Sequence, residues 1–320
     1  MKAWKIFVLA ASLALMGCGQ NGGGQKLVAF SQANNAEPYR AAQKSLMEKL
    51  FSMTADVKLV TSDAQQDNSK QIAQIETFIR QKPSVLIVAP NERAALTAVM
   101  GKAMEAGIPV ICLERDIVQP NYTTYIRMDN RAIGRMAGQF IVDQLTKKYG
   151  APKGNVVFLR GLLGVEAEIN RDGGAREILG RYPDIHIVAD PVANWIQAEA
   201  HDRMTEVLRV QPRIDLVYGH NDPVAIGAYL AAKELGRDKE MFFTGVDGLG
   251  GPSGGIRKVM DGVLAATFVY PLGVKEAVEV GQKILRDPGY RPPKVITLDS
   301  VMVTPDNAAD LYKKLTVAGE

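Results

Sequence analysis

Polar and aromatic side chains gather directly behind the short apolar runs of this 320-residue chain. Ser31, Asn34, Asn35, Glu37, Tyr39 and Arg40 follow the first run, and Glu114, Arg115 and Asp116 follow the fourth. In the second half the same place is taken by Glu166 to Arg171, Asn194-Trp195, His220-Asn221-Asp222, Asp247 and Tyr270. These side chains suit the recognition of a polyol. Adjacent hydroxyls need partners that accept and donate side by side, which Asp, Asn and Arg supply. The apolar C–H face of a sugar ring stacks on Trp or Tyr. For each position taken singly there is a plainer role, because a polar residue behind a strand often caps the next helix; Asp63 and Asp222 read as helix starts of this kind. Arg171, Trp195, Asn221 and Asp247 taken together favour a binding site.

The elements that must position these groups repeat twice. Apolar β-branched runs at Leu27–Ser31, Val57–Thr61, Val85–Ala89 and Ile108–Cys112 start 30, 28 and 23 residues apart. Amphipathic stretches lie between them, such as Ile72, Ile75, Phe78 and Ile79 at helical spacing. The rhythm restarts at Asn155, with runs at Val156–Leu159, Ile185–Ala189, Ile214–Tyr218, Phe242–Val246 and Leu264–Val269. Continuous apolar strands alternating with helices predict parallel sheets built of βαβ units. Two copies predict two similar Rossmann-like α/β lobes, the first spanning 26–129 plus 272–299 and the second 130–271 plus 300–316. No Pro/Gly/Ser-rich linker parts them. Asp129-Asn130 leads straight into a helical stretch, Ile133–Leu145, so short strands join the lobes as a hinge. Val295–Val303 reads as one further strand crossing back. In open parallel sheets, ligands bind beyond the C-terminal strand ends, where the polar residues sit.

Composition narrows the class. The chain is 47% hydrophobic with balanced charge, formally +3, which excludes a disordered chain and gives no polybasic surface for nucleic acid. Two cysteines and three histidines rule out a disulfide scaffold or a multi-ligand zinc site, and no cofactor is implied. Lys2 and Lys5 precede an apolar run, Ile6–Met16, that is shorter than the roughly 20 residues a membrane span needs. Residues 1–17 read as a signal peptide. Leu15-Met16-Gly17-Cys18 resembles a bacterial lipobox, with Cys18 as the lipidated mature N-terminus. Residues 18–25 read as a flexible tether. Cleavage removes two of the 38 basic residues and no acid, leaving about +1 against 35 acids. Cys112, in an apolar stretch, reads as a reduced core thiol.

Phe30-Ser31-Gln32-Ala33-Asn34-Asn35, Ile108 to Arg115, Asn170-Arg171-Asp172-Gly173-Gly174, Gly219-His220-Asn221-Asp222 and Thr244-Gly245-Val246-Asp247-Gly248 occur in one order and spacing. On these motifs residues 26–316 resemble the periplasmic sugar-binding proteins of the ribose and galactofuranose type, cluster I of the bacterial substrate-binding proteins. The resemblance implies a periplasmic-binding-protein fold whose cleft holds a sugar. It implies first-lobe ligand contacts from Ser31, Asn35, Tyr39 and Arg40, with Glu114 and Arg115 where the family has Asp-Arg. Arg171 matches the second-lobe arginine, Trp195 the stacking aromatic, and Asn221 and Asp247 the hydroxyl-binding amide and carboxylate. Three departures speak against ribose itself: Glu114 reaches one methylene further than Asp, Ala36-Glu37-Pro38 interrupts the first loop, and Tyr270 stands where the ribose type has glutamine. The implied partners are a monosaccharide or polyol, the permease of an ABC importer and a membrane holding the anchor, with the protein itself a monomer that binds no nucleic acid.

Other classes fit less well. Gly251-Pro252-Ser253-Gly254-Gly255 matches G-x-S-x-G, but Ser253 lies seven residues past its strand and no histidine follows His220, so a hydrolase is disfavoured. The glycines read as the loop before a short helix, Ile256–Met260. No phosphate-loop motif occurs. Sugar-responsive repressors share the two-lobe core but begin with a helix-turn-helix, where this chain has a signal peptide. A lipoprotein reporting ligand to a sensor kinase or chemoreceptor stays open beside transport.

Overall fold

A computed structural model describes residues 25–319. The signal peptide, Cys18 and most of the tether lie outside the described residues. The first unit is β1 (Lys26–Gln32), α1 (Pro38–Ser52), β2 (Val57–Asp63), α2 (Asn68–Gln81), β3 (Val85–Ala89), α3 (Arg93–Glu105), β4 (Val110–Leu113) and β5 (Thr124–Met128). The second is α4 (Asn130–Tyr149), β6 (Gly154–Leu159), α5 (Glu166–Leu179), β7 (Ile185–Ala189), α6 (Gln197–Val210), β8 (Leu216–Gly219), α7 (Asp222–Glu234), β9 (Phe242–Thr244), α8 (Gly255–Met260) and β10 (Thr267–Phe268). α9 (Val274–Arg286), β11 (Val295–Leu298), β12 (Met302–Val303) and α10 (Ala308–Ala318) complete the chain.

The first sheet runs β11-β5-β4-β3-β1-β2 and the second β7-β6-β8-β9, every pairing in both being parallel. The central strands are apolar throughout because helices cover both faces; all five residues of β3 are buried. The order reverses between β1 and β3 in one sheet and between β6 and β8 in the other, which opens a crevice at each carboxyl edge. The chain passes between the sheets three times: from β5 into α4, from β10 into α9, and from β11 into β12, which pairs antiparallel with β10.

Two strand readings change. Val295–Val303 is two strands broken at Asp299-Ser300-Val301: Val295–Leu298 extends the first sheet beside β5, and Met302–Val303 joins β10 in the second. The break is the crossing itself. β5 was hidden because Thr124, Tyr125 and Arg127 interrupt its apolar pattern; Thr124 and Tyr125 are buried all the same. Asp63 does not start a helix. Its carboxylate accepts from the Gln65 amide at 2.9 Å, and Asp67 caps α2 through the Lys70 amide at 3.0 Å.

Candidate functional site

The two carboxyl edges face each other across a buried polar cavity. It is lined by Glu37, Tyr39, Arg40, Glu114 and Arg115 from the first lobe, and by Ala167, Arg171, Trp195, Asn221, Asp247 and Tyr270 from the second side. About 290 Å³ of non-atom space lies among them, counting what opens toward solvent.

On the first side, Arg40 points inward from the first turn of α1. Its Nη2 ion-pairs with Glu114 Oε2, and its Nη1 donates to Gln43 Oε1 at 3.1 Å. Glu114 follows β4 directly with a left-handed backbone (φ 68°). Burial pushes that carboxyl up, but Arg40, Arg115 and Arg171 outweigh the burial and hold it below its usual range. Arg115 is anchored by Nη1 donating to the Asn91 carbonyl at 2.8 Å. Tyr39 donates to the Pro271 carbonyl at 2.9 Å, and its ring tilts against Tyr270 at 5.2 Å.

On the second side, Arg171 is the hub. Its Nε donates to Asn130 Oδ1 at 3.0 Å and its Nη1 to the His220 carbonyl at 2.6 Å. Its guanidinium lies 4.3 Å from the Tyr270 ring centre and 5.6 Å from that of Trp195. Tyr270 donates to Glu114 Oε1 at 3.1 Å and accepts from Asn130 Nδ2 at 3.2 Å, so the tyrosine closes the reach of the longer acid. Trp195 has φ 70°, and its ring lies flat on Gly161, where a Cβ would collide with it. Asn221 keeps its capping role: Oδ1 accepts from the Val224 amide at 3.0 Å while Nδ2 donates to the Trp195 carbonyl at 3.2 Å. Asp247 is held by its backbone, donating to Phe268 and accepting from Tyr270. Burial, then Asp222, push its carboxyl well up, against the pull of Arg171.

Among the described residues, three buried donors in the lining have no hydrogen-bond partner, Arg40 Nε, Arg115 Nε and Trp195 Nε1, although Arg115 Nε lies 3.7 Å from Glu114 Oε2. Buried donors are seldom left so, and a ligand's oxygens are their natural acceptors. Among the described residues, no side-chain hydrogen bond occupies the Asp247 carboxylate.

Of the residues named from sequence, Tyr39, Arg40, Glu114, Arg115, Arg171, Trp195, Asn221, Asp247 and Tyr270 line this one cavity. Ser31 does not reach it; the side chain is buried at the end of β1, where its hydroxyl accepts from Gln71 Nε2 at 3.3 Å. Asn35 lines a wider pocket at the mouth, shared with Glu37 and Trp195. Sequence reasoning missed Asn130, which holds both Arg171 and Tyr270; Glu37, named from sequence only within the polar group behind the first run, lines the cavity as well. Asn130 carries no signal beyond its place at the start of a helix. Cys112 is buried in no disulfide, its thiol donating to the Arg115 carbonyl at 3.2 Å. Among the described residues no His, Cys, Asp and Glu cluster could hold a metal, and no helix is long and apolar enough to cross a membrane.

Two parallel α/β lobes, crossed three times and enclosing a polar cavity at facing strand ends, define a bilobal ligand-binding protein. Residues 28–286 match the periplasmic binding protein domain, and the chain belongs to that family of extracytoplasmic substrate-binding proteins, which are not enzymes. It is 32% identical over 264 residues to the xylitol-binding protein of Mycolicibacterium smegmatis, covering 79% of this chain and 72% of that one. It is 28% identical over 296 residues to the galactofuranose-binding protein of Escherichia coli, covering 90% of each. Among solved structures, the fructose-binding periplasmic domain of a hybrid two-component system superposes with a TM-score of 0.85 at 34% identity, over 92% of this chain and 95% of that one.

Proposed function

We propose that this protein captures a small uncharged sugar or polyol between its lobes and delivers it to an ABC-type importer. The observation that carries the reading is that the donors without a hydrogen bond, Arg40 Nε, Arg115 Nε and Trp195 Nε1, and the Asp247 carboxylate belong to residues that line one cavity. The lining carries both signs, Arg40, Arg115 and Arg171 beside Glu37, Glu114 and Asp247, and so offers no single-sign patch to pair a charged ligand. The relatives' xylitol, galactofuranose and fructose are uncharged polyols of this kind. The lobes proposed are 26–129 plus 272–299 and 130–271 plus 300–316, closing as a monomer on the ligand about the three crossings.

Thermal-shift screening of the purified protein against sugars and polyols tests this, since a ligand at about 100 times its Kd adds about 2.7 kcal/mol to the folded state. A rise with a monosaccharide or polyol is expected; a rise only with amino acids or organic acids overturns the reading. The membrane anchor is part of the proposal: Cys18→Ser should abolish incorporation of labelled palmitate and release the protein from membranes. A second reading has its own support, because the fructose-binding neighbour belongs to a two-component system. Under that reading, deleting the gene would spare uptake of the ligand and abolish a ligand-induced transcriptional response.

A further inference from the structure

A second carboxylate stands behind the one that lines the cavity. Asp222 opens α7 and is buried. Its Oδ2 accepts from the Gly248 amide at 2.8 Å and its Oδ1 from the Thr267 hydroxyl at 2.6 Å. Gly245 and Gly255 make room for it, since a Cβ on either would run into this carboxylate. The group therefore grips β10 and the turn after β9 together. That turn carries Asp247 at φ 131°, a backbone region L-residues rarely adopt, followed by Gly248 at φ 57°. A strained residue stays put only where its surroundings over-determine it, and the bond from the Gly248 amide is one of the ties. No binding role falls to Asp222 in the cavity, which it does not line.

We propose that Asp222 is a positioning residue for ligand capture, fixing the Asp247 turn and governing the charge that Asp247 presents to the ligand. The proposal rests on the cavity being the binding site. The groups that act on the pair are Arg171 from α5, Glu37 ahead of α1, Tyr39 on α1 and Glu114 at the end of β4. Arg171 is the cation that offsets them. Burial pushes Asp222 up to about 7, and burial with Asp222 raises Asp247 as well. Two buried carboxylates that act on one another retain a proton more readily than either would alone.

The test uses Asp222→Asn and Asp222→Ala beside the wild type, from about pH 5 to about pH 9. Ligand-free melting comes first. A carboxyl raised in the folded state stabilises below its unfolded pKa and loses that contribution as pH rises through about 7. The Asn variant should therefore gain on the wild type as pH rises. Affinity for the best-binding polyol comes second. With the neighbouring charge gone, the acid-side loss of affinity should move about one pH unit lower in the Asn variant. The Ala variant, which also lacks the tie to Gly248, should bind at least about tenfold more weakly than the Asn variant at every pH. Melting and binding curves of the Asn variant that run parallel to wild type at all pH values overturn the charge role. Equal affinities of the Ala and Asn variants overturn the positioning role. If no sugar or polyol binds wild type, the proposed function falls, while the melting curves still decide whether the two carboxylates are coupled.

Discussion

Asp247 shows how much one side chain does here and how little of it lies in the residue type. Its carboxylate is buried, without a side-chain hydrogen bond among the described residues, and set on a strained backbone; under the proposed function it accepts from ligand hydroxyls. Asp247→Ala should lower affinity by about 1–3 kcal/mol, roughly fivefold to 150-fold, by stranding those hydroxyls. Calorimetric titration with the polyol that stabilises wild type checks this, and an unchanged Kd would remove Asp247 from the site. His220 is a different case. Its ring is buried between Phe158 and Tyr218 with neither nitrogen partnered. Burial first, then Arg171, Arg160 and Arg176, hold its pKa well below normal. A basic group depressed in the folded state leaves stability intact above its unfolded pKa, about 6.5, and costs stability as pH falls below that. His220→Phe should flatten this acid-side decline in melting temperature while leaving stability near pH 8 little changed. The polar residues behind the strands were legible as a site because each follows an apolar run. Ser31 shows the limit: it also follows one, but its pleat position turns it to Gln71. Asn221 serves as helix cap and cavity wall at once, so the two roles weighed for it were never exclusive.

Helix packing decides where Arg171 can be. α4 and α5 approach closely because Gly134, Gly138 and Gly174 face the opposing backbone. A Cβ at Gly138 would lie 2.9 Å from the Ala175 carbonyl oxygen, and one at Gly174 would lie 3.0 Å from Gly134 Cα. That closeness sets Asn130, at the start of α4, within 3.0 Å of Arg171 on α5. Gly174→Leu should therefore wedge the helices apart at about 1–3 kcal/mol, read by urea unfolding, and weaken ligand binding in the same variant. A destabilised variant with wild-type affinity would show that the Asn130–Arg171 bond does not depend on this contact. The strands themselves were readable because buried parallel strands are continuously apolar. β5 and the break in Val295–Val303 were not, since a hinge strand answers to two lobes and follows neither pattern.

Across the whole molecule the apolar core is continuous between lobes. One buried cluster runs from Phe30 and Tyr39 through Met128, Tyr270 and Leu272 to Ile133 and Phe158. The crossings are packed rather than loose, which suits a hinge moving between defined positions. Under the proposed function, ligand contacts to both lobes favour the closed arrangement, because only there would they all be made. Adding the polyol should lower the radius of gyration in small-angle scattering. A ligand that binds tightly with no change in radius would mean that the free protein is already closed.

Periodicity was enough to determine two α/β lobes, most of their strands and the edge on which polar residues collect. These are consequences of local spacing, since a strand buried by helices must be apolar and a loop beyond it is free to be polar. Which of those residues meet was decided only in three dimensions. Arg40 and Glu114 lie 74 positions apart, and Tyr270 and Glu114 lie 156 apart. Their pairing depends on how two sheets face each other, on glycines that admit close backbones, and on left-handed turns at Glu114, Trp195 and Asp247. Such contacts are set by the packing of distant segments, which no local pattern encodes.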